Sequence, residues 1–334
     1  MPTEEFLQAL EHQVLGPPCY TGAEVAAVAG MAYEDAQALW MELGLSPVGE
    51  DAKYFTEADA EALATVRAVR EAELVSPEMA VTMARVLGQA LARVATAEAQ
   101  AFAPAVADVL ARQSGDEGAD VPANTVEAAN TVEATTLVAD VLVPTLERFL
   151  SYTWRRHLMV AMRRQLDRRP TEVIGFADLV GYTRLTARIP EGELPDIITR
   201  FQHLAGLHVT RHGGRILKLI GDAVMFAAPD PVQGTRAALG LRAACEDDPS
   251  LPDLRVGLAT GPLVEIEGDV YGETVNRASR LVELARPGTI VVDDDTAAEL
   301  LDDQEVSVRA LRPHKLKGIG YVRAWVARGR HADR

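Results

Sequence analysis

Cysteine is scarce in this chain: Cys19 and Cys245 are the only two among 334 residues, and they lie far apart. That excludes a framework of disulfides and fits a reducing cytoplasm. Long apolar runs are missing too. No uncharged stretch reaches the roughly 18 residues a membrane span needs, so no stable membrane insertion is expected. The opening MPTEEFLQALEHQ has neither the basic start nor the apolar centre of a signal peptide. Positive charge is in short supply. There are 33 Lys and Arg against 49 Asp and Glu, a net charge of -16. Such a balance argues against extended binding to nucleic acid or to an anionic membrane surface.

What remains is ordinary soluble material, 48% hydrophobic and 25% charged. At roughly 150 residues per domain the length allows about two domains, each with a real core. Residues 1–112 are rich in Ala, Glu, Leu and Val at helical spacing. Thr21-Gly-Ala-Glu24 has the capping-box pattern, and Thr56-Glu-Ala-Asp59 is a weaker version. Ser76-Pro77 offers an N-cap followed by Pro at the first helical position, so a further helix is expected from about Pro77. Residues 113–136 change texture and hold the hexamer ANTVEA twice in tandem. This stretch is expected to be a mobile surface insert that supplies little core. Helix resumes over 137–169 and ends in WRRHLMVAMRRQLDRR. Its arginines form either a solvated helix face or a connector that touches acidic surface elsewhere.

After Pro170 short strands and helices alternate. TEVIGFADL is a strand, PDIITRFQHLAGLHVTRH a helix, and RILKLIGDAVMFAAP two strands joined at Gly221-Asp222. PVQGTRAALGLRAACE is a helix, LRVGLATGPLVEIEG a strand pair, YGETVNRASRLVELA a helix, and TIVVDD and YVRAWVAR late strands. This order predicts an α+β architecture with helices packed on one sheet.

Asp178 closes an apolar strand and Asp222 sits at the hairpin tip. A carboxylate at the end of a buried strand must be paired or bound to metal. Two of them suit Mg²⁺ or Mn²⁺, which keep water and take substrate phosphates as further ligands. Singly, each is also an ordinary turn or cap residue. Leu179-Val-Gly181-Tyr-Thr183 is a strand-to-helix junction whose free amides and hydroxyl can meet a phosphate. Asn276 and Arg280, four apart, share a helix face. Arg suits a phosphoryl oxygen, although such a pair is also common on plain surfaces. Lys317 precedes a turn, with Lys315 two residues earlier.

FADLVGYT, KLIGD, DVYGETVNRASR and LKG follow one another over residues 176–318. Together they make the second half, about residues 171–328, resemble the ferredoxin-like catalytic domain of the class III nucleotidyl cyclases. The resemblance implies a homodimer, paired head to tail with active sites at the interface. It implies that Asp178 and Asp222 hold two Mg²⁺ or Mn²⁺ ions, that Arg280 from the partner neutralises the pentacoordinate phosphorus, and that Asn276 orients the ribose. Lys317, or Lys315, would hold the terminal phosphates, with Thr183 also at the substrate. In this family the residues standing at Lys218 and Asp269 contact the purine. A Lys donor suits adenine N1 and an Asp acceptor its N6 amine, so ATP is the expected substrate and cyclic AMP the product. Guanylyl cyclases tend to carry Glu and Cys there. The competing readings are a guanylyl or mixed-specificity cyclase, and a sensor that binds nucleotide without catalysis.

The first half has a helix-turn-helix texture, but residues 1–60 hold eleven Asp and Glu against one Lys, which repels phosphates. It is similar to the helical regulatory domain of some actinobacterial adenylyl cyclases, pH-responsive ones among them. The expected plan is therefore an all-α regulatory domain over 1–165, with 143–169 as the connecting helix, and a catalytic domain over 170–330. His157 in that helix is either a surface histidine or a titrating switch.

Overall fold

The computed structural model describes residues 2–45, 51–111, 123–167, 171–182 and 194–330. The chain divides into two compact units, Met1–Leu166 and Asp167–Arg334. Among the described residues no helix is long and apolar enough to cross a membrane.

The first unit is helical: α1 (Pro2–Leu15), α2 (Gly22–Ala29), α3 (Tyr33–Leu43), α4 (Glu57–Glu71), α5 (Pro77–Leu110), α6 (Ala123–Thr136) and α7 (Val143–Leu166). Their starts follow local chemistry. The Thr21 hydroxyl accepts from the Glu24 amide while Glu24 reaches back to the Thr21 amide. Thr56 and Asp59 form the same box, and Ser76 caps α5 with Pro77 at its first turn. A core of Val25, Ala29, Leu39, Phe55 and Leu63 joins α2, α3 and α4, with Trp40 stacked on Phe55 at 4.2 Å.

The second part of the stretch 113–136 is helical, and it adds to the core. Both ANTVEA repeats lie in helix α6, and Ala134 is fully buried against Phe6 and Val109. The small side chain of Ala134 lets this helix approach α1 closely. Residues 112–122 lie outside the described part of the chain. Between α6 and α7 the backbone widens into a π-helical segment, Leu137–Leu142. Pro144, just beyond it, lacks the amide that would bond back to residue 140, which accounts for the disturbed ladder.

The second unit begins β1 (Glu172–Leu179), α8 (Leu194–Arg211), β2 (Arg215–Ile220), β3 (Ala223–Ala228), α9 (Pro231–Glu246), β4 (Leu254–Gly261). These strands lie side by side as β2-β3-β1-β4, all antiparallel, which is the ferredoxin-like order. The chain continues through β5 (Val264–Ile266), β6 (Asp269–Tyr271), α10 (Glu273–Leu284), β7 (Ile290–Asp293), α11 (Asp294–Leu300), β8 (Val306–Ala310), β9 (His314–Leu316), β10 (Gly320–Val322) and β11 (Ala324–Gly329). β7 adds to β4 in parallel, and β11 and β8 complete a seven-stranded sheet. The stretch LRVGLATGPLVEIEG does hold two strands, but they do not pair with each other. β4 belongs to the main sheet and β5 pairs with β6 in a separate ribbon.

Both faces of the sheet are covered. Phe201, Leu241 and Leu300 from α8, α9 and α11 pack on one face, with Phe226 and Leu258. Ala278 and Leu281 from α10 pack on the other, with Ile174 and Val291. The loops at the strand ends are thereby held on a stiff base.

Candidate active site

Asp178 is the seventh residue of β1. It stands opposite Ala223 on one side and Arg255 of β4 on the other. Cross-strand partners share a face of the sheet. Arg255 accordingly grips one oxygen of Asp178, with Nε at 2.7 Å and Nη2 at 2.5 Å. Asp222 sits in the two-residue turn between β2 and β3, next to Gly221 at φ +58°. Burial pushes the Asp222 carboxyl up, the neighbouring charge of Asp178 adds to this, and Arg255 works against it. The Tyr182 hydroxyl is also pushed up, by burial and then by Asp222. Two carboxylates therefore converge on one spot, and a cationic side chain is already drawn to it.

Lys218 and Asp269 are also brought together. The Lys218 ammonium donates to the Asp269 carboxylate at 2.5 Å, joining β2 to the first residue of β6. Burial works to raise the Asp269 carboxyl, but the hydrogen bonds from Lys218 and from the Val270 amide at 2.9 Å hold it below its usual range. The placement of Lys218 depends on an irregularity. Arg215 stands opposite Ala227 and Lys218 opposite Met225, with a register shift between Ile216 and Lys218. Ala227 and Met225 face the same core as α10. Strict alternation from Arg215 would turn Lys218 to the opposite face, and the bulge returns it.

Asn276 and Arg280 do share one face of α10, as the spacing predicts. Asn276 is exposed, and Arg280 pairs with Glu283 at 2.5 Å. Lys317 is exposed in the turn between β9 and β10, as is Lys315 within β9. Among the described residues no hydrogen bond or ion pair joins Asn276, Arg280 or Lys317 to Asp178, Asp222, Lys218 or Asp269. Thr183 lies outside the described residues. Arg255 escaped the sequence reading; a lone Arg in the apolar strand LRVGLATG was the available signal. Arg277 escaped it too. It sits between Asn276 and Arg280 and pairs with the buried Asp293 at 2.9 Å.

The donor set fits a hard divalent cation. Asp178 and Asp222 offer oxygen only, and no group of three or more His, Cys, Asp or Glu among the described residues competes with them. Two carboxylates leave most of the coordination sphere to water and phosphate, the habit of Mg²⁺ and of Mn²⁺.

The comparisons with known proteins agree with this fold. The family described as the adenylate and guanylate cyclase catalytic domain matches residues 167–329. An adenylate cyclase of Streptomyces coelicolor is 36% identical over 300 residues, covering 87% of this chain and 74% of its own. An adenylate cyclase of Glutamicibacter nicotianae is 32% identical over 344 residues, 96% of this chain and 82% of its own. A pH-sensitive adenylate cyclase of Mycobacterium tuberculosis is 31% identical over 339 residues, 97% of this chain and 82% of its own. The chain belongs to the class III nucleotidyl cyclase family and is an enzyme of that family. The likeness runs through both units, since each of these matches covers more than the catalytic half.

Proposed function

We propose that the chain is an adenylate cyclase, converting ATP to 3′,5′-cyclic AMP and pyrophosphate at sites shared between two copies, under control of its helical half. The observation that carries the base preference is the Lys218–Asp269 pair, 51 positions apart in sequence and in contact in the fold. A donor and an acceptor held side by side match adenine N1 and the N6 amine. Guanine presents the opposite pattern at those positions and would leave both groups unpaired.

Asp178 and Asp222 would hold Mg²⁺ or Mn²⁺, which when bound supplies charge stabilisation at the α-phosphate and eases ionisation of the ribose 3′-hydroxyl. Arg255 holds one oxygen of Asp178 in place. Arg280 places a guanidinium against the developing charge on phosphorus, and Asn276 orients the ribose. Lys317 meets the terminal phosphates. Sharing between copies is supported by the lack, among the described residues, of any hydrogen bond or ion pair between the two sets of groups, and by exposed apolar side chains near Lys218 and Asp269. Leu219 and Ile220 at the end of β2, and Val264, Ile266 and Tyr271 on the β5–β6 ribbon, are each about half exposed, a surface suited to a second copy. The few cysteines, free in the described structure, fit a cytoplasmic location.

Control by the first unit rests on the relatives that extend through it, one of them named pH-sensitive. The test of the activity is direct: purified full chain with Mn²⁺ and either ATP or GTP, scored for cyclic product. ATP turnover well above GTP turnover supports the reading. A guanylyl preference, or binding without product, overturns it. Mixing Asp178→Ala with Arg280→Ala tests the sharing. Random pairing makes half the dimers mixed, each with one intact site, so activity should recover to roughly a quarter of the wild-type level. No recovery in confirmed mixed dimers overturns the shared site.

A further inference from the structure

Helix α10 lies on the sheet with its backbone pressed against β4. A methyl group added at Gly257 would come within 2.2 Å of the Val282 amide nitrogen and 2.6 Å of the Ala278 carbonyl oxygen. One added at Gly261 would come within 2.5 Å of the Thr274 hydroxyl, which itself donates to the Pro262 carbonyl at 2.9 Å. These contacts set the height of the helix and its first turn. Ala278, Leu281 and Val282, buried beside them, choose the face that α10 turns to the sheet.

Arg277 adds a polar constraint on the rotation of the helix about its axis. One guanidinium nitrogen reaches Asp293 at 2.9 Å and Asp295 at 3.3 Å, and the other reaches Glu273 at 3.0 Å. Asp293 is 1% exposed at the junction of β7 and α11. It is itself fixed by three amide contacts: Thr296 donates to it at 3.0 Å, and Thr260 of β4 lies 3.3 Å from both of its oxygens. The anchor is therefore rigid, and it belongs to the sheet and not to the helix. Burial pushes the Asp293 carboxyl up while the amides and Arg277 pull it down, so loss of Arg277 leaves a poorly compensated buried group.

Each helical residue advances about 100° around the axis. Fixing Arg277 against the sheet therefore fixes where its neighbour Asn276, and Arg280 one turn on, are aimed. We propose that Arg277 is a positioning residue for catalysis: through its ion pair with Asp293 it sets the rotation of α10 and so the aim of Asn276 and Arg280. The proposal rests on the reading that Asn276 and Arg280 act on ribose and phosphorus. An aiming role differs from a purely structural one in what it moves. Misplacing a transition-state group by about 1 Å can lower turnover 100-fold while ground-state binding persists.

The test uses the full chain with Arg277→Met, Arg277→Lys and the double variant Arg277→Met with Asp293→Asn. We expect Arg277→Met to lower kcat roughly 30-fold with the KM for ATP within about twofold, and Arg277→Lys to recover a substantial part. The double variant removes the unpaired carboxylate, so it should regain the lost Tm without regaining kcat. In mixed dimers Arg277→Met should rescue Asp178→Ala but not Arg280→Ala, because it damages the same helix as the latter. A kcat within about threefold of wild type in folded Arg277→Met overturns the proposal. So does a kcat that returns together with Tm in the double variant. If Arg277→Met does not fold, Arg277→Lys and the double variant carry the same test. Full activity in Arg280→Ala would instead overturn the underlying reading of the helix, whatever Arg277 does. Failure of the Asp178→Ala and Arg280→Ala control mixture would overturn only the sharing between copies, leaving the kcat comparison to decide on Arg277.

Discussion

Helix α7 runs for 24 residues without burying one of them, whereas α10, half its length, buries Thr274, Ala278, Leu281 and Val282. The difference is not in apolar content. Phe149, Trp154 and Leu166 of α7 are 67%, 55% and 84% exposed, and any of them would serve in a core. What differs is the surface each helix meets. α10 lies on β4, where glycines at 257 and 261 let two backbones touch. Among the described residues of the first unit, α7 meets no such surface. A long helix with large apolar groups facing water is a candidate for contact with a second copy, and it leads directly toward the catalytic unit in sequence.

The sharpest way to break the comparison is at the carboxylates whose strands α10 helps to hold. Asp178→Ala should lower activity with Mn²⁺ by about three orders of magnitude, measured as cyclic product, since metal binding and charge stabilisation go together. Next in size is Gly257→Ala, which lifts α10 off β4. The clash is with backbone, so the helix must move. We expect roughly a 100-fold loss of turnover and a loss of about 2 kcal/mol of stability, read from denaturant titration. Lys218→Glu with Asp269→Cys should come third, removing most activity on ATP with little gain on GTP, while Tm stays near wild type. Full ATP activity in this variant would sink the adenine assignment.

Removal of residues 1–165 sharpens the comparison from the other side. The truncated and full chains should differ severalfold in activity or in its profile across about pH 5.5 to 8, the range in which histidine side chains change charge. Identical profiles would mean that the helical unit does not regulate. The smallest effect is on stability and concerns Asp222. Burial raises its folded-state pKa, so the folded chain holds that proton more tightly than the unfolded one. Stability then falls as pH rises from the ordinary carboxylate range through the raised value. Asp222→Asn should therefore raise Tm slightly near neutral pH, by about 2 °C or less, while abolishing turnover. A lower Tm would show that the carboxylate is better compensated than its burial implies.

Much of the site could be read from residue types and spacing. Gly221-Asp222 marks a turn between two apolar runs, and Asn276 and Arg280 fall on one face because a helix repeats every 3.6 residues. Capping signals at Thr21, Thr56 and Ser76 are local and survive folding unchanged. The helix over the tandem ANTVEA stretch was not legible, because weak amphipathicity looks like a loop until a neighbour such as Phe6 covers Ala134. Arg255 and Arg277 were missed because each acts through a partner far away in sequence, Asp178 and Asp293.

The sequence by itself determined the elements, the two carboxylates at a strand end and a turn, and the helix that bears Asn276 and Arg280. These follow from short-range rules of propensity, capping and periodicity. Only the tertiary structure decided that Lys218 faces Asp269, since a single bulge in β2 reverses the side on which every later residue of that strand emerges. It likewise decided which arginine grips which carboxylate. Strand order, not chain order, chooses the neighbours of a side chain, and that order is set by how the whole sheet buries its two faces.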